Sequence, residues 1–165
     1  MNITLKLFFY LILISASSLS FAADDGKFFY RLLGSNPVRA SIFGCVGTCP
    51  EGLIIPSTID GYSVARIYQL AFINQQLTAA IISDSVLTIG DYAFQGNDLG
   101  SLYIGSNVTT IGAKNFIGGQ LTSITIPDSV TNLSSSNFAF NQLTSVSIGS
   151  GLTRIEGSVF QDNQL

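Results

Sequence analysis

The sequence predicts a mainly β repeat solenoid. Three observations carry that prediction: side-chain columns that recur every 22 residues, strand-like alternation inside each unit, and an N-terminal segment built as a hairpin instead of a repeat. Leucines fall at Leu77, Leu99, Leu121, Leu143 and Leu165, and phenylalanines keep the same step at Phe72, Phe94, Phe116, Phe138 and Phe160. Ile67, Ile89, Ile111, Leu133 and Ile155 form a third column, and Val64, Val86, Val108, Val130 and Leu152 a fourth. Four columns in one register define a unit of fixed length.

Within the unit that opens at Leu121, the apolar positions are Leu121, Ile124, Ile126, Val130, Leu133 and Phe138, and the residues between them are mostly Ser, Thr, Asp, Asn and Gln. Ser123 to Ile126 alternates polar and apolar, the period of a half-buried strand. Pro127 stops the strand because it has no N–H to give a ladder. The irregular spacing that follows describes a chain coiling round to bring Val130, Leu133 and Phe138 to the same interior. A lone coil cannot bury these side chains, but stacked coils can, with the strands paired as a parallel sheet on one side. Burial at roughly 1.5 to 3 kcal/mol per large side chain offsets the ordering entropy only when neighbours cover both faces of a coil. At roughly 4.8 Å between paired strands, about five coils give a body on the order of 25 Å long.

The elements follow in chain order. Leu7 to Ile14 is an unbroken apolar run, too short for the roughly 20 residues that span a bilayer. With Ser20 and Ala22 at the −3 and −1 positions of a cleavage site, residues 1–22 read as a signal peptide, and the mature chain starts at Ala23. Residues 23–52 read as an N-terminal cap. Phe28 to Leu33 and Val38 to Phe43 are β-prone runs separated by Gly34-Ser35-Asn36-Pro37, the signature of a hairpin. Cys45 and Cys49 are the only cysteines, and in an oxidising compartment so close a pair is most simply a disulfide; as metal ligands they would be half a set. Residues 53–165 are the repeats. The first is irregular, because Ile55 and Val64 lie nine apart where Ile126 and Val130 lie four apart, and Asp60-Gly61 within the insertion signals a turn. Leu165 occupies the opening position of a further unit, so the expectation is either a chain that continues or an open end covered by a partner, including by self-association.

Asn97, Asn141 and Asn163 stand two residues before a column leucine, where Gln75 and Gly119 fill the other two places. Because amides donate and accept at once, this file is expected to hydrogen-bond turn backbone between coils; a sugar-binding track is the competing reading. Gln76, Gln120, Gln142 and Gln164 follow one residue later.

The run Leu121-Thr-Ser-Ile-Thr-Ile-Pro-Asp-Ser-Val-Thr131, with Ile89-Gly-Asp-Tyr-Ala-Phe94 and Asn141-Gln142-Leu143, closely resembles the BspA-like leucine-rich repeats of bacterial surface proteins. Cys49 to Val64 resembles the segment that opens such arrays, so the resemblance covers residues 45–165. It implies a right-handed leucine-rich-repeat coil exported to the cell surface or medium, and a role in adhesion through binding of host or matrix proteins. The pattern fixes core positions and names no ligand residue. The sequence departs from it at Ala80, where a large apolar residue is expected, and at Phe138-Ala-Phe140, where the aromatic is doubled.

Chemistry is sparse. The sequence contains no histidine, which excludes Ser-His and Cys-His nucleophilic catalysis and histidine metal sites. Asp84, Asp91, Asp98, Asp128, Glu156 and Asp162 come one or two per coil at turn positions, as solenoid turns require without any paired-carboxylate chemistry. No enzyme activity and no cofactor are expected. The glycosylation sequons at Asn107 and Asn132 fall on residues the repeat itself prescribes. Removal of Lys6 with the signal leaves six basic and ten acidic residues, a net charge of −4, so neither nucleic acid nor an anionic membrane surface is an expected partner, and no later segment is long enough to insert in a membrane. The surface left for function is the outward side of the strands: Ala79, Ile81, Ser101, Tyr103, Ser123, Thr125, Ser145 and Ser147. It is small, uncharged and hydroxylated, with Tyr103 as the one aromatic anchor, and suits a protein-binding or adhesion module on the outside of the cell. The alternatives are a carbohydrate-binding module, which ordinarily wants several aromatic platforms, and a structural segment of a longer surface protein.

Overall fold

The structure, a computed structural model, describes residues 22–24 and 27–165. The signal segment expected over residues 1–22 lies, apart from Ala22, outside the described residues. Among the described residues thirteen strands carry the fold and there is no helix. The N-terminal segment gives β1 (Ala22–Asp24), β2 (Phe28–Leu33) and β3 (Arg39–Cys45). The irregular first unit gives β4 (Gly52–Ile55), β5 (Thr58–Ile59) and β6 (Tyr62–Ile67). The regular units then alternate one longer strand with one of two residues: β7 (Ala79–Ile82), β8 (Thr88–Ile89), β9 (Ser101–Tyr103), β10 (Thr110–Ile111), β11 (Ser123–Ile126), β12 (Asn132–Leu133) and β13 (Ser145–Ile148).

These strands build a solenoid of parallel ladders with a 22-residue step. Thr110 pairs with both Thr88 and Asn132, and Ser123 pairs with Ser145. One ladder was not anticipated in the sequence. Besides the expected strand face, a second parallel ladder, β3-β6-β8-β10-β12, runs along another side of the coil. It exists because the column Ile67, Ile89, Ile111 and Leu133 turns every side chain inward at the same angular position, which leaves the backbone aligned for pairing with the coils above and below.

The core is the set of columns read from the sequence. Phe72, Phe94, Phe116 and Phe138 are buried and stack in file with Phe160, ring centroids 5.3, 5.5, 5.4 and 5.8 Å apart. Leu77, Leu99, Leu121 and Leu143 are buried beside them. In the last coil Phe160 and Leu152 are only half-buried and Ile155 is exposed, as stacking demands of a coil covered on one side.

At the other end β2 and β3 form an antiparallel hairpin, with β1 on its outer edge. β3 joins the second ladder in parallel with β6, and Phe28 meets Phe72 edge-on at 6.4 Å, so the hairpin lies over the first coil. The tyrosine hydroxyl of buried Tyr30 donates to Asp60 Oδ2 in the turn between β5 and β6. That turn is the Asp60-Gly61 pair, both residues left-handed, as a two-residue antiparallel hairpin requires. Cys45 and Cys49 are joined as a disulfide directly after β3.

Candidate binding face

The strand face is divided into two sheets. β4, β7 and β9 form one, β11 and β13 the other. Within the first, Gly52, Ala79 and Ser101 align in one row, and Ile54, Ile81 and Tyr103 in a second. Within the second sheet the same rows continue as Ser123 with Ser145 and Thr125 with Ser147. Seven of the eight residues picked from the sequence alternation, Ile81, Ser101, Tyr103, Ser123, Thr125, Ser145 and Ser147, are exposed on this side, and the eighth, Ala79, is half-buried. The alternation places them there because Leu53, Ile55, Ala80, Ile82, Ile124 and Ile126 point the other way, into the core.

The face is more apolar on one side than the mostly small, hydroxylated surface expected from the strand alternation. Its first three strands carry an apolar stripe, Ile54, Ile81 and Tyr103, which are 62%, 47% and 50% exposed. Ile54 escaped the sequence reading because the insertion after Ile55 disrupts the register from which the face was counted. Setting Gly52-Leu-Ile-Ile55 against Ala79-Ala-Ile-Ile82 would have found it.

A cleft lies beyond each end of the stripe. Near Ile54, a recess of about 360 Å³ is bounded by Phe28, the Cys45 end of β3, Pro50 and Leu53. At Tyr103, an open cleft of about 430 Å³ occupies the break between β9 and β11, lined by Leu102, Ile104, Ile124, Thr125 and Pro127.

The electrostatics of the face centre on Asp84. Its Oδ1 accepts the backbone N–H of Ser106 at 2.7 Å, and the Tyr103 hydroxyl donates to the same oxygen at 3.3 Å. The Ser106 backbone N–H, then the Ser106 side chain, hold the Asp84 carboxyl below its ordinary value. The carboxylate charge in turn raises the Tyr103 phenol above its own, assisted by the hydrogen bond between them. Asp84→Asn removes the charge, the larger cause, while its amide oxygen can still accept the hydroxyl, so the Tyr103 absorbance transition is expected to move to lower pH in a spectrophotometric titration of the variant. An unmoved transition would show that the carboxylate does not act on the phenol.

The amide file faces inward. Asn97 accepts from the backbone N–H groups of Gln75 and Leu77, each at 3.0 Å, and donates to the carbonyls of Phe72 and Phe94 at 2.8 and 2.7 Å. Asn141 and Asn163 repeat the motif on Leu121 and Leu143. The amides of Asn97 and Asn141 are therefore spent on the backbone between coils and are buried, which removes them from any sugar-binding track. A shorter file that the sequence reading missed runs beside the phenylalanines: Asn137 accepts the Asn115 N–H and donates to Gly112 and Ser134.

Each turn region also holds two left-handed residues in register. Leu70, Tyr92, Lys114, Ser136 and Ser158 form one column, and Asn74, Gly96, Gly118, Phe140 and Asp162 the other. Phe140, the doubled aromatic, is 53% exposed at a site its equivalents fill with Asn, Gly or Asp. A bulky side chain in this region costs on the order of 1 kcal/mol. Phe140→Asn is expected to raise stability by about 0.5 to 1 kcal/mol, read as a higher denaturant midpoint at constant slope. A loss of stability would mean that the ring packs favourably where it lies.

Coils of 22 residues, a leucine and a phenylalanine file through the core and an asparagine clip between turns define a leucine-rich-repeat solenoid. The chain belongs to the family described as BspA type leucine rich repeat region, which matches residues 61–165 in six copies. No curated protein matches the chain significantly. Among solved structures it is similar to a leucine rich cell surface protein from Faecalibacterium prausnitzii, at 24% identity and a TM-score of 0.66, over 92% of this chain and 48% of that one. The chain thus spans about half the length of that protein. It is also similar to a leucine-rich repeat protein from Bacteroides capillosus, at 24% identity and a TM-score of 0.62, over 74% of this chain and 94% of that one. The pneumococcal vaccine antigen PcpA matches at 19% identity and a TM-score of 0.63, over 81% of this chain and 39% of that one. At these identities the likeness is one of fold.

Proposed function

We propose that the chain is a non-enzymatic protein-binding module of a bacterial surface or secreted protein, exported by residues 1–22 and engaging its partner through the strand face. The observation that carries the reading is the apolar stripe Ile54, Ile81 and Tyr103, three exposed large side chains in strand register on a rigid sheet. Water gains from covering such a stripe, and a tyrosine with its hydroxyl held by Asp84 loses little freedom on binding. Membership of the repeat family and likeness in fold to a cell surface protein and a vaccine antigen support the surface setting. A carbohydrate platform is less favoured, because Tyr103 is the only aromatic on the stripe.

The test uses a photo-crosslinking amino acid at position 103, with the same group at the turn residue Lys114 as control, in an extract of extracellular and surface proteins. Specific protein adducts at position 103 that disappear in an Ile54→Ser/Ile81→Ser background are the expected result. Adducts no more abundant than at position 114, together with glycan-array binding that Tyr103→Ala abolishes, would overturn the proposal in favour of carbohydrate.

A further inference from the structure

The seam between the third and fourth coils (residues 99–120 and 121–142) lacks two links that both neighbouring seams possess and a third that the following seam possesses. Elsewhere an asparagine two residues before the column leucine clips the preceding turn, but position 119 is Gly, so the Leu99 N–H has no such acceptor. Asp84 and Asp128 each accept a backbone N–H from the next coil, Ser106 and Ser150 respectively, but between them the equivalent residue is Ser106, which accepts none from Asp128. In the following seam the Gly149 N–H donates to Ile126 at 2.9 Å, but the residue one coil earlier is Pro127, which has no N–H.

The consequence is visible in the backbone. Among the described residues no backbone hydrogen bond joins β9 to β11, although β7 pairs with β9 and β11 with β13 in full register. The opening is confined between two pins. At one end the Gln120 N–H donates to Leu99 at 2.8 Å, and at the other the Ser129 hydroxyl donates to Val108 at 2.7 Å. Behind it the phenylalanine file continues at ordinary spacing. Leu102 is half-buried beside the gap, as Val146 is in the last strand, whereas Leu53, Ala80 and Ile124 in the same column are buried.

We propose that this break is a docking site for an extended, uncharged peptide segment of a partner protein, which enters as an intervening strand parallel to β9 and β11. The occupant follows from the chemistry of the walls. Two facing strand edges, each unpaired toward the other, present main-chain donors and acceptors, and a peptide backbone is the group that satisfies both rows at once. The floor of Leu102, Ile104 and Ile124 accepts small apolar side chains at every second position, and the lining holds no charged residue. With strands of three to four residues on either side, the site takes roughly 10 to 13 Å of extended chain. The inference rests on the protein-binding reading above and narrows it to one segment of the partner.

The probe is a capped peptide Thr-Ser-Val-Ser-Ile-Gly, the sequence of residues 144–149, which already pairs along β11 in the neighbouring seam. Titrated into the whole chain, it is expected to shift the amide resonances of residues 101–106 and 122–126 saturably at millimolar concentration. A copy with alternate amides N-methylated is expected to produce no such shifts. The variant Ser106→Asp/Pro127→Gly restores two of the three links and is expected to bind at least about tenfold more weakly. Gly119 is left alone, because a Cβ there would lie 3.1 Å from the Leu99 carbonyl oxygen and 2.8 Å from Asn141 Oδ1. Shifts elsewhere, equal binding of the N-methylated peptide, or no shift at all would overturn the inference; the N-methylated arm decides even if the double variant fails to fold. The Ile54→Ser/Ile81→Ser variant keeps the cleft and should keep the peptide. Photo-adducts at position 103 that survive in Ser106→Asp/Pro127→Gly would leave the binding face standing and remove the cleft.

Discussion

Asn97→Ala is expected to cost about 3 to 5 kcal/mol of stability, more than any other polar substitution in the repeats. The side chain has four backbone partners, and truncation strands the N–H groups of Gln75 and Leu77 and removes a donor from the carbonyls of Phe72 and Phe94. Each buried group left unpaired costs about 1 to 3 kcal/mol, and the site is only 4% exposed, so water replaces few of the lost bonds. Asn163 makes the same kind of contacts, to Leu143, Phe138 and Phe160, but is half-buried. Asn163→Ala should therefore cost about 1 kcal/mol. Denaturant midpoints of the two variants decide the matter: equal losses would mean that burial of the clip is not what gives it value.

The second large effect is expected at Phe116→Ala. Its ring stands between Phe94 and Phe138 at 5.5 and 5.4 Å, and no surface chain can collapse into the space it leaves. A loss of about 3 to 5 kcal/mol follows from transfer and cavity together. Because coils contact mainly their neighbours, the loss falls on the middle of the stack, beside the seam that β10 and β12 pair across but β9 and β11 do not. The unfolding transition is expected to broaden, with the N-terminal and C-terminal coils melting separately, whereas Phe160→Ala at the half-buried end should only lower the midpoint. Hydrogen exchange that remains uniform across Phe116→Ala would argue against this division.

The parts of the fold legible in the sequence are those in which one side-chain type serves one repeated role. Phe94, Leu99 and Ile111 occupy interior positions that recur every 22 residues, so the step, the strand at Ser123 to Ile126 and the inward columns follow from counting apolar residues. The second ladder was harder to see, because β8, β10 and β12 are two residues long and too short for an alternation to register. Ile54 was hidden by an insertion. The break at β9 and β11 was hidden for a different reason. It is encoded at Ser106, Gly119 and Pro127, polar or turn positions that lie outside the apolar columns. Only the hydrogen bonds of Asp84, Asp128 and Asn141 show that the equivalent places do work between coils, and hence that three absences coincide on one seam.

The asparagine clips also give the molecule a direction. The Leu77 N–H finds its acceptor in Asn97, that of Leu121 in Asn141 and that of Leu143 in Asn163, always some twenty residues later in the chain. A turn is thus completed by residues that are synthesised after it. As the polypeptide emerges N-terminus first, each clipped turn comes out before the asparagine that locks it, and the turn at Leu99, facing Gly119, has no such lock. Assembly of this kind advances like a ratchet along the order of synthesis, and at every moment the newest coil is left open to water.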